Sequence, residues 1–184
     1  MKTTFFIVLS VICIFFSVSS IAGGKCKYDY DKKDVFSGKR VCYKSFTLFK
    51  KNVQFGNPTG LFRYEFKIGK NGNDYFLEIN LNICGIIRTI VGSTDTTFIK
   101  LDNGNLIKIV PKGEYRPVAK LDGIMEYSNY IISFTLDPSD FIKLSESKIF
   151  GIKSMIGPSE NIVSPKESNS LDILEIINCL KAEK

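Results

Sequence analysis

Apolar and polar residues alternate most regularly between positions 61 and 81. Asn71-Gly72 interrupts this alternation and favours a two-residue hairpin turn, because both central residues of a type I′ turn need positive φ. A turn there places Ile68 opposite Tyr75, and the same register continues through Phe66–Leu77, Tyr64–Ile79 and Phe62–Leu81. The sequence therefore predicts a hairpin with one apolar face. The other face carries Arg63, Glu65, Lys67, Phe76, Glu78 and Asn80, with Glu65 directly opposite Glu78.

Further strands are predicted on both sides of this hairpin, most clearly at Tyr130–Leu136, where apolar and polar residues alternate. They cover Lys25–Asp31, Lys39–Lys50, Val118–Leu121, Tyr130–Leu136 and Lys148–Ile156, with a turn at Asp34–Gly38 and breaks at Asn57–Gly60 and Gly157-Pro158. A second hairpin is predicted with Asn103-Gly104 at its tip, between Phe98–Leu101 and Leu106–Val110. Its predicted register places Lys108 opposite Ile99 and Lys100 opposite Ile107, and such mixed faces suit an edge ribbon.

Two short segments have helical signals instead. Asp137-Pro138 begins a short helix that runs to about Ser147, because proline suits the first helical turn and Asp140 can bond back to it. Residues 171–180 carry apolar side chains on one helical face, and Ser168, Asn169 or Ser170 can cap that helix. We expect a mainly β fold of antiparallel sheets, a sandwich or partly open barrel, with two short helices, one of them C-terminal. Residues 23–184 form one β-rich domain in this interpretation.

The unit Ile131–Lys153, a strand, a short helix and a strand, follows hairpins with Asn-Gly tips. In this order of elements the chain resembles uncharacterised, exported bacterial proteins that carry signal peptides. The resemblance covers a third to a half of the mature chain. It implies export, and it assigns no functional residue.

The first residues have the pattern of an export signal. A positive start at Met1-Lys2 precedes the apolar run Phe5–Phe16, and Ser20-Ile21-Ala22 has the small residues of a cleavage site. The alternative, an uncleaved membrane anchor, is disfavoured because a spanning helix needs about 20 apolar residues. We therefore predict a signal peptide at 1–22, a periplasmic or extracellular location, and no transmembrane segment after cleavage.

Four cysteines follow the predicted cleavage site: Cys26, Cys42, Cys84 and Cys179. An even number in an oxidising compartment favours two disulfides, for which three connectivities exist. Cys26 with Cys42 closes a short loop, and that choice leaves Cys84 to pair with Cys179. The alternative is that any of the four is a buried thiol.

The sequence contains no histidine. This excludes Ser-His-Asp and Cys-His catalysis within the chain and removes the commonest zinc ligand. No motif for a cofactor or a metal is present, and we expect neither. The preferred hypothesis is a non-catalytic binding or interaction module. The alternative is a small hydrolase based on paired carboxylates, for which the densest acids are Asp29, Asp31 and Asp34.

Positive charge is concentrated near the mature N-terminus. Positions 25–51 contain nine basic and three acidic residues, a net charge of +6, whereas positions 52–184 have a net charge of −1. Such a surface can bind an acidic glycan or an anionic envelope surface, and these partners suit an exported protein better than nucleic acid does. The candidate ligand-binding residues are Tyr28, Tyr30, Lys39, Arg40, Tyr43 and Lys44. The alternative is a solvated strand face whose tyrosines pack inward.

Overall fold

A computed structural model describes residues 26–50, 60–122, 125–156 and 159–183. The strands in these ranges are β1 (Tyr30–Lys33), β2 (Arg40–Lys50), β3 (Leu61–Asn71), β4 (Asp74–Cys84), β5 (Thr97–Leu101), β6 (Leu106–Ile109), β7 (Val118–Asp122), β8 (Met125–Thr135), β9 (Ile149–Ile156) and β10 (Ser159–Val163). The helices are α1 (Pro138–Glu146) and α2 (Glu167–Ala182). The predicted signal peptide, the break at 57–59 and the break at Gly157-Pro158 lie outside the described residues.

The strands form two antiparallel sheets. The larger sheet has six strands in the order β1-β2-β3-β4-β8-β7 and curls into a half-barrel. The smaller sheet has four strands in the order β10-β9-β5-β6. The predicted class, mainly antiparallel β with two short helices, one of them C-terminal, is confirmed.

The core lies between the inner face of the large sheet, the small sheet and α2. Alternate residues of β3, β4 and β8 point into it and are buried: Tyr64, Phe66, Ile68, Leu77, Ile79, Leu81, Tyr130, Ile132 and Phe134. The small sheet contributes Ile99, Leu101, Ile107, Ile109 and Ile152, and α2 contributes Ile173, Ile176, Ile177 and Leu180. The hydroxyl of Tyr64 lies 3.0 Å from Ser154 Oγ, which satisfies a buried polar group and joins the two sheets.

The central hairpin has the predicted faces, but its predicted register is wrong by two residues. Asn71 is the last paired residue of β3 and lies opposite Asp74, so that Gly72, with φ +61°, and Asn73 make the turn. A shift of two residues keeps every side chain on its face, because the side-chain period of a strand is two. The observed register places Lys67 opposite Glu78, with which it forms an ion pair. Glu65 then lies opposite Asn80 instead of a second carboxylate.

The second hairpin is also out of its predicted register, here by one residue. Its loop has three residues, 102–104, because Leu101 N donates to Asn105 O at 2.9 Å. Ile99 therefore lies opposite Ile107, and Lys108 lies opposite Phe98. The faces are consequently not mixed: one is buried in the core and the other carries the lysines.

Both predicted helices are present, with different ends. Asp137 makes no side-chain capping bond to α1, and Asp140 pairs with Lys143 at 2.7 Å instead. Helix α2 begins at Glu167, so the three predicted caps lie inside its first turn. One of them, Ser170, donates its hydroxyl to Ile149 O at 2.8 Å. Strand β10 was not predicted from the sequence, and β1 begins later than its predicted start at Lys25.

The predicted disulfide pairing is wrong. The disulfide joins Cys26 to Cys179, which are 153 positions apart, because the chain entering β1 runs beside the last turn of α2. Cys42 is a buried thiol and Cys84 lies half-buried at the end of β4. The bond therefore links the N-terminal strands to the C-terminal helix across the whole fold.

Candidate functional site

Strands β1 and β2 form a hairpin whose turn is held by Asp34. Its Oδ1 atom accepts hydrogen bonds from the backbone N–H of Phe36 at 3.0 Å and of Ser37 at 2.6 Å, and from the Ser37 hydroxyl at 2.8 Å. These hydrogen bonds hold the pKa of the Asp34 carboxyl below its ordinary value. Gly38, at φ +67°, donates its N–H to Asp34 O at 2.9 Å and closes the turn. The turn predicted at Asp34–Gly38 is therefore confirmed as a hydrogen-bonded unit.

The tip of this hairpin is apolar. Val35 is 88% exposed and Phe36 is 98% exposed, the highest values among the large hydrophobic residues of the described chain. Turns normally carry Gly, Pro, Asn, Asp or Ser. Two adjacent apolar side chains that make no packing contribution to their own fold are therefore a feature to be explained by an external contact.

Exposed lysines flank the tip on both sides. Lys32 and Lys33 precede it, and Lys39 follows it. Among the described residues, no acidic side chain lies within ion-pair distance of these three lysines. Lys32 Nζ lies 5.6 Å from the centre of the Tyr30 ring, an attractive cation–π position. The tip thus combines apolar side chains with three lysines that form no ion pair in the described chain, against the single carboxylate of Asp34.

Two of the six candidate residues meet on the outer face of the large sheet. The rings of Tyr30 and Tyr43 are stacked with centroids 5.2 Å apart, and Tyr43 makes an edge contact with Phe76 at 6.5 Å. The row crosses β3 at Gly69, where no side chain separates the two rings. These aromatic residues form a continuous surface behind the lysines of the hairpin.

Two other candidates, Arg40 and Lys44, are engaged within the protein. Arg40 donates two hydrogen bonds to the Asp31 carboxylate, at 2.6 and 2.7 Å, and these bonds lower the pKa of Asp31. Lys44 pairs with Asp29 at 2.7 Å. Burial alone would raise the pKa of Asp29, but the hydrogen bonds from Lys44 and from Ser45 N hold it below its ordinary value. The charges of Arg40 and Lys44 are thus compensated inside the hairpin.

Glu183 connects the C-terminus to this hairpin. Its carboxylate accepts from the Tyr28 hydroxyl at 3.0 Å and pairs with Arg40 at 2.8 Å, and its main-chain oxygen accepts from Lys70 Nζ at 2.6 Å. The Cys42 thiol lies 3.6 Å from the same carboxylate, and burial followed by that charge raises the pKa of the thiol to about 11. Tyr28 and Arg40 therefore serve the docking of the C-terminal segment.

A polar cleft of about 530 Å³ opens beside Glu183. It is lined by Ser37, Gly38, Lys39, Arg40, Cys42, Lys70, Gly72, Asn73, Asp74 and Glu183. Two carboxylates line it, but that of Glu183 is already bonded to Tyr28, Arg40 and Cys42. A carboxylate with three protein partners is poorly placed to act as a nucleophile or a general base.

A second exposed apolar surface lies on the outer face of the small sheet. A shallow groove of about 430 Å³ crosses its strands, and Gly151 forms part of its wall. Phe150 is 60% exposed there, and Lys100 Nζ lies 5.4 Å from the centre of its ring. This groove is remote in sequence from the β1–β2 hairpin and provides a natural comparison for it.

A row of polar side chains on the outer face of the large sheet, buried at Asn82 and Asn129, was also not predicted. The side-chain amide of Asn129 donates to Asn80 Oδ1 at 2.5 Å and to Asn82 Oδ1 at 2.8 Å, and Asn80 donates to Glu65 at 2.8 Å. Glu65 also pairs with Arg63 at 2.5 Å. The row fixes the alignment of β3, β4 and β8, since its members hold one another across three strands.

The sequence did not single out Val35 and Phe36, the most prominent residues of the hairpin. The available signal was an apolar pair inside a predicted turn between basic strands.

No three acidic or cysteine side chains in the described ranges lie close enough together to hold a metal ion. In the same ranges, no helix is long and apolar enough to cross a membrane.

Comparisons with protein family models, with curated proteins and with solved structures found no match. The resemblance to exported bacterial proteins therefore stays an expectation from the sequence.

Proposed function

We propose that this is an exported, non-catalytic binding protein that attaches to an anionic surface, acidic glycan or anionic lipid, through its β1–β2 hairpin. The observation that carries the proposal is the exposure of Lys32, Lys33 and Lys39 without acidic partners in the described chain. Charges that are compensated within a protein contribute little to attraction, whereas uncompensated charges on one protrusion act together.

The expected affinity is modest. A lysine close to an anionic membrane surface contributes about 1 kcal/mol, so three lysines contribute about 3 kcal/mol at moderate ionic strength. Binding through this charge alone is therefore weak and sensitive to salt. The disulfide between Cys26 and Cys179 supports export, because such bonds persist in oxidising compartments.

The alternative, carboxylate-based hydrolysis, gains no support from the polar cleft. Asp29 and Asp31 are each paired with a basic residue, and Glu183 is bonded to three partners. Hydrolysis by two carboxylates needs them to face each other across a substrate or water. The binding hypothesis requires no such arrangement.

Chromatography on an anionic matrix tests the proposal. The triple variant Lys32→Gln, Lys33→Gln, Lys39→Gln should elute at clearly lower salt than the wild type. A matched control removes three exposed lysines elsewhere, Lys108→Gln, Lys112→Gln and Lys120→Gln, with the same change in net charge. Arg40 is left intact because it holds Asp31 and Glu183.

If the two triple variants elute at the same salt, net charge rather than the hairpin governs retention, and the proposal is wrong. If the wild type is not retained at low salt on sulfated or phosphorylated matrices, the proposal also fails.

A further inference from the structure

We propose that Val35 and Phe36 insert into the interface of an anionic lipid bilayer while Lys32, Lys33 and Lys39 contact the headgroups. This inference rests on the proposed function and names lipid as the surface. It is carried by the position of the two most exposed large hydrophobic residues of the described chain at the tip of a basic hairpin.

The charges are arranged as an interfacial contact requires. Lysines lie directly behind the tip on both sides, two before it on β1 and one after it, next to the start of β2. Long lysine side chains can keep their ammonium groups at the headgroups while apolar neighbours enter the acyl boundary. The stacked rings of Tyr30 and Tyr43 continue the hairpin with amphipathic aromatic side chains, which favour the same interface.

The turn is already ordered for this contact. Asp34 binds the backbone N–H groups of Phe36 and Ser37, and its own N–H donates to Lys39 O at 2.7 Å. Because these bonds exist in the unbound protein, insertion requires little further loss of backbone entropy. They also satisfy N–H groups that would otherwise be costly to bring towards a lipid phase.

The shape of the tip favours lipid over an acidic glycan. Val35 and Phe36 protrude with 88% and 98% of their surfaces exposed, so they form a convex point rather than a platform. Sugar rings stack on flat aromatic faces, and Val35 provides none. A bilayer interface accepts a protruding apolar point together with positive charge.

The chain contains no tryptophan, which makes a direct measurement of insertion possible. Phe36→Trp places a single indole at the tip, and Phe150→Trp places one at the exposed apolar groove as the matched control. Each variant is titrated with vesicles of phosphatidylcholine alone and of phosphatidylcholine mixed with phosphatidylglycerol. We expect a blue shift of Phe36→Trp emission with the mixed vesicles only, and no shift for Phe150→Trp.

Co-sedimentation with the same vesicles measures affinity. Replacing Phe36 by alanine should weaken binding to mixed vesicles by about tenfold to a hundredfold, the loss that corresponds to an unburied phenyl ring. Phe150→Ala should bind as the wild type does. Circular dichroism of each variant checks that the fold is intact.

Several results would overturn the inference. Mixed-vesicle binding with no shift at Phe36→Trp indicates charge contact without insertion, and a shift at Phe150→Trp instead assigns the contact to the groove. Salt-sensitive retention on a sulfated polysaccharide without vesicle binding identifies a glycan surface, and the proposed function then stands while this inference falls. Absence of both kinds of binding removes both proposals.

Discussion

Gly69 shows how a single residue can set the packing of the outer sheet face. A Cβ atom at this position would lie 2.4 Å from Cys42 O, 2.6 Å from Tyr43 Cβ and 2.7 Å from Phe76 Cζ. One of these neighbours is backbone and cannot move without breaking the ladder between β2 and β3. The missing side chain is thus what allows Tyr43 and Phe76 to meet across the strand.

We therefore expect Gly69→Ala to lower the free energy of unfolding by about 1–3 kcal/mol, the usual cost of overpacking. Denaturant unfolding followed by circular dichroism measures this change. Gly113→Ala is the control, because nothing lies within 4 Å of a Cβ atom there. Equal stability of both variants would contradict the packing argument.

The Cys42 thiol should make the free energy of unfolding depend on pH. Burial and the nearby Glu183 carboxylate raise the pKa of its thiol from 9.0 to about 11. The unfolded chain releases this proton at lower pH than the folded chain does, so folding is favoured below pH 9 and this contribution is lost as pH rises towards 11. Denaturant melts from pH 8 to pH 11 should show declining stability. Cys42→Ala should decline less, and an identical decline would contradict this assignment.

At the scale of elements, the β1–β2 turn depends on one carboxylate. Asp34→Ala removes the acceptor for the N–H groups of Phe36 and Ser37 while leaving the strand ladder in place. We expect faster hydrogen exchange at these two amides, with little change in β2. Nuclear magnetic resonance or mass spectrometry measures the exchange.

The same variant should bind anionic vesicles less tightly than Asp34→Asn, which removes the same negative charge but keeps the tip ordered before insertion. Asp34→Asn is its control, since an amide oxygen can still accept both hydrogen bonds. Unchanged exchange in Asp34→Ala would show that the carboxylate does not hold the turn.

The sequence predicted which segments are strands and helices more readily than it predicted how the strands pair. The alternation in β3 and β4 identified the buried Tyr64, Phe66 and Leu77, because burial of one face follows the period of two. The same period cannot distinguish registers that differ by two residues. That is why the pattern missed the pairing of Lys67 with Glu78.

The length of the loop between β5 and β6 was a second feature that the sequence did not predict. Asn103-Gly104 has the composition of a two-residue turn, yet it lies in a three-residue loop whose Asp102 N–H bonds to Lys148 O at 3.0 Å. That partner is distant in sequence, so no local pattern reveals it.

Of the candidate site, the basic character of positions 25–51 was visible in the sequence. Which charges are compensated was not, because Glu183 lies at the other end of the chain.

For the whole molecule, the disulfide between Cys26 and Cys179 is the main covalent constraint, because it joins the N-terminal strands to α2. In the chain-entropy model, a disulfide that closes a loop of this length stabilises the fold by about 5 kcal/mol. Glu183 adds non-covalent contacts to Tyr28 and Arg40 at the same place. The disulfide and the Glu183 contacts therefore stabilise the same junction, between the N-terminal strands and the end of α2.

Cys179→Ser should therefore lower the free energy of unfolding by about 2–5 kcal/mol. The double variant Cys26→Ser, Cys179→Ser should be no less stable than the single one, because the bond is already absent. Thermal or denaturant unfolding without reductant measures both. Additive losses would indicate that the two cysteines contribute separately and would contradict the pairing.

The segments that carry Cys26 and Cys179 lie close together, and this proximity makes circular permutation of the chain possible. The Cα atoms of Cys26 and Cys179 are 5.9 Å apart, so a short peptide linker can span the gap between the segments that carry them. A circular permutant could then start in the exposed 102–104 loop, with α2 leading through the linker into β1. In such a molecule the order of the elements changes while their neighbours do not, and the basic hairpin lies mid-chain, away from any tag.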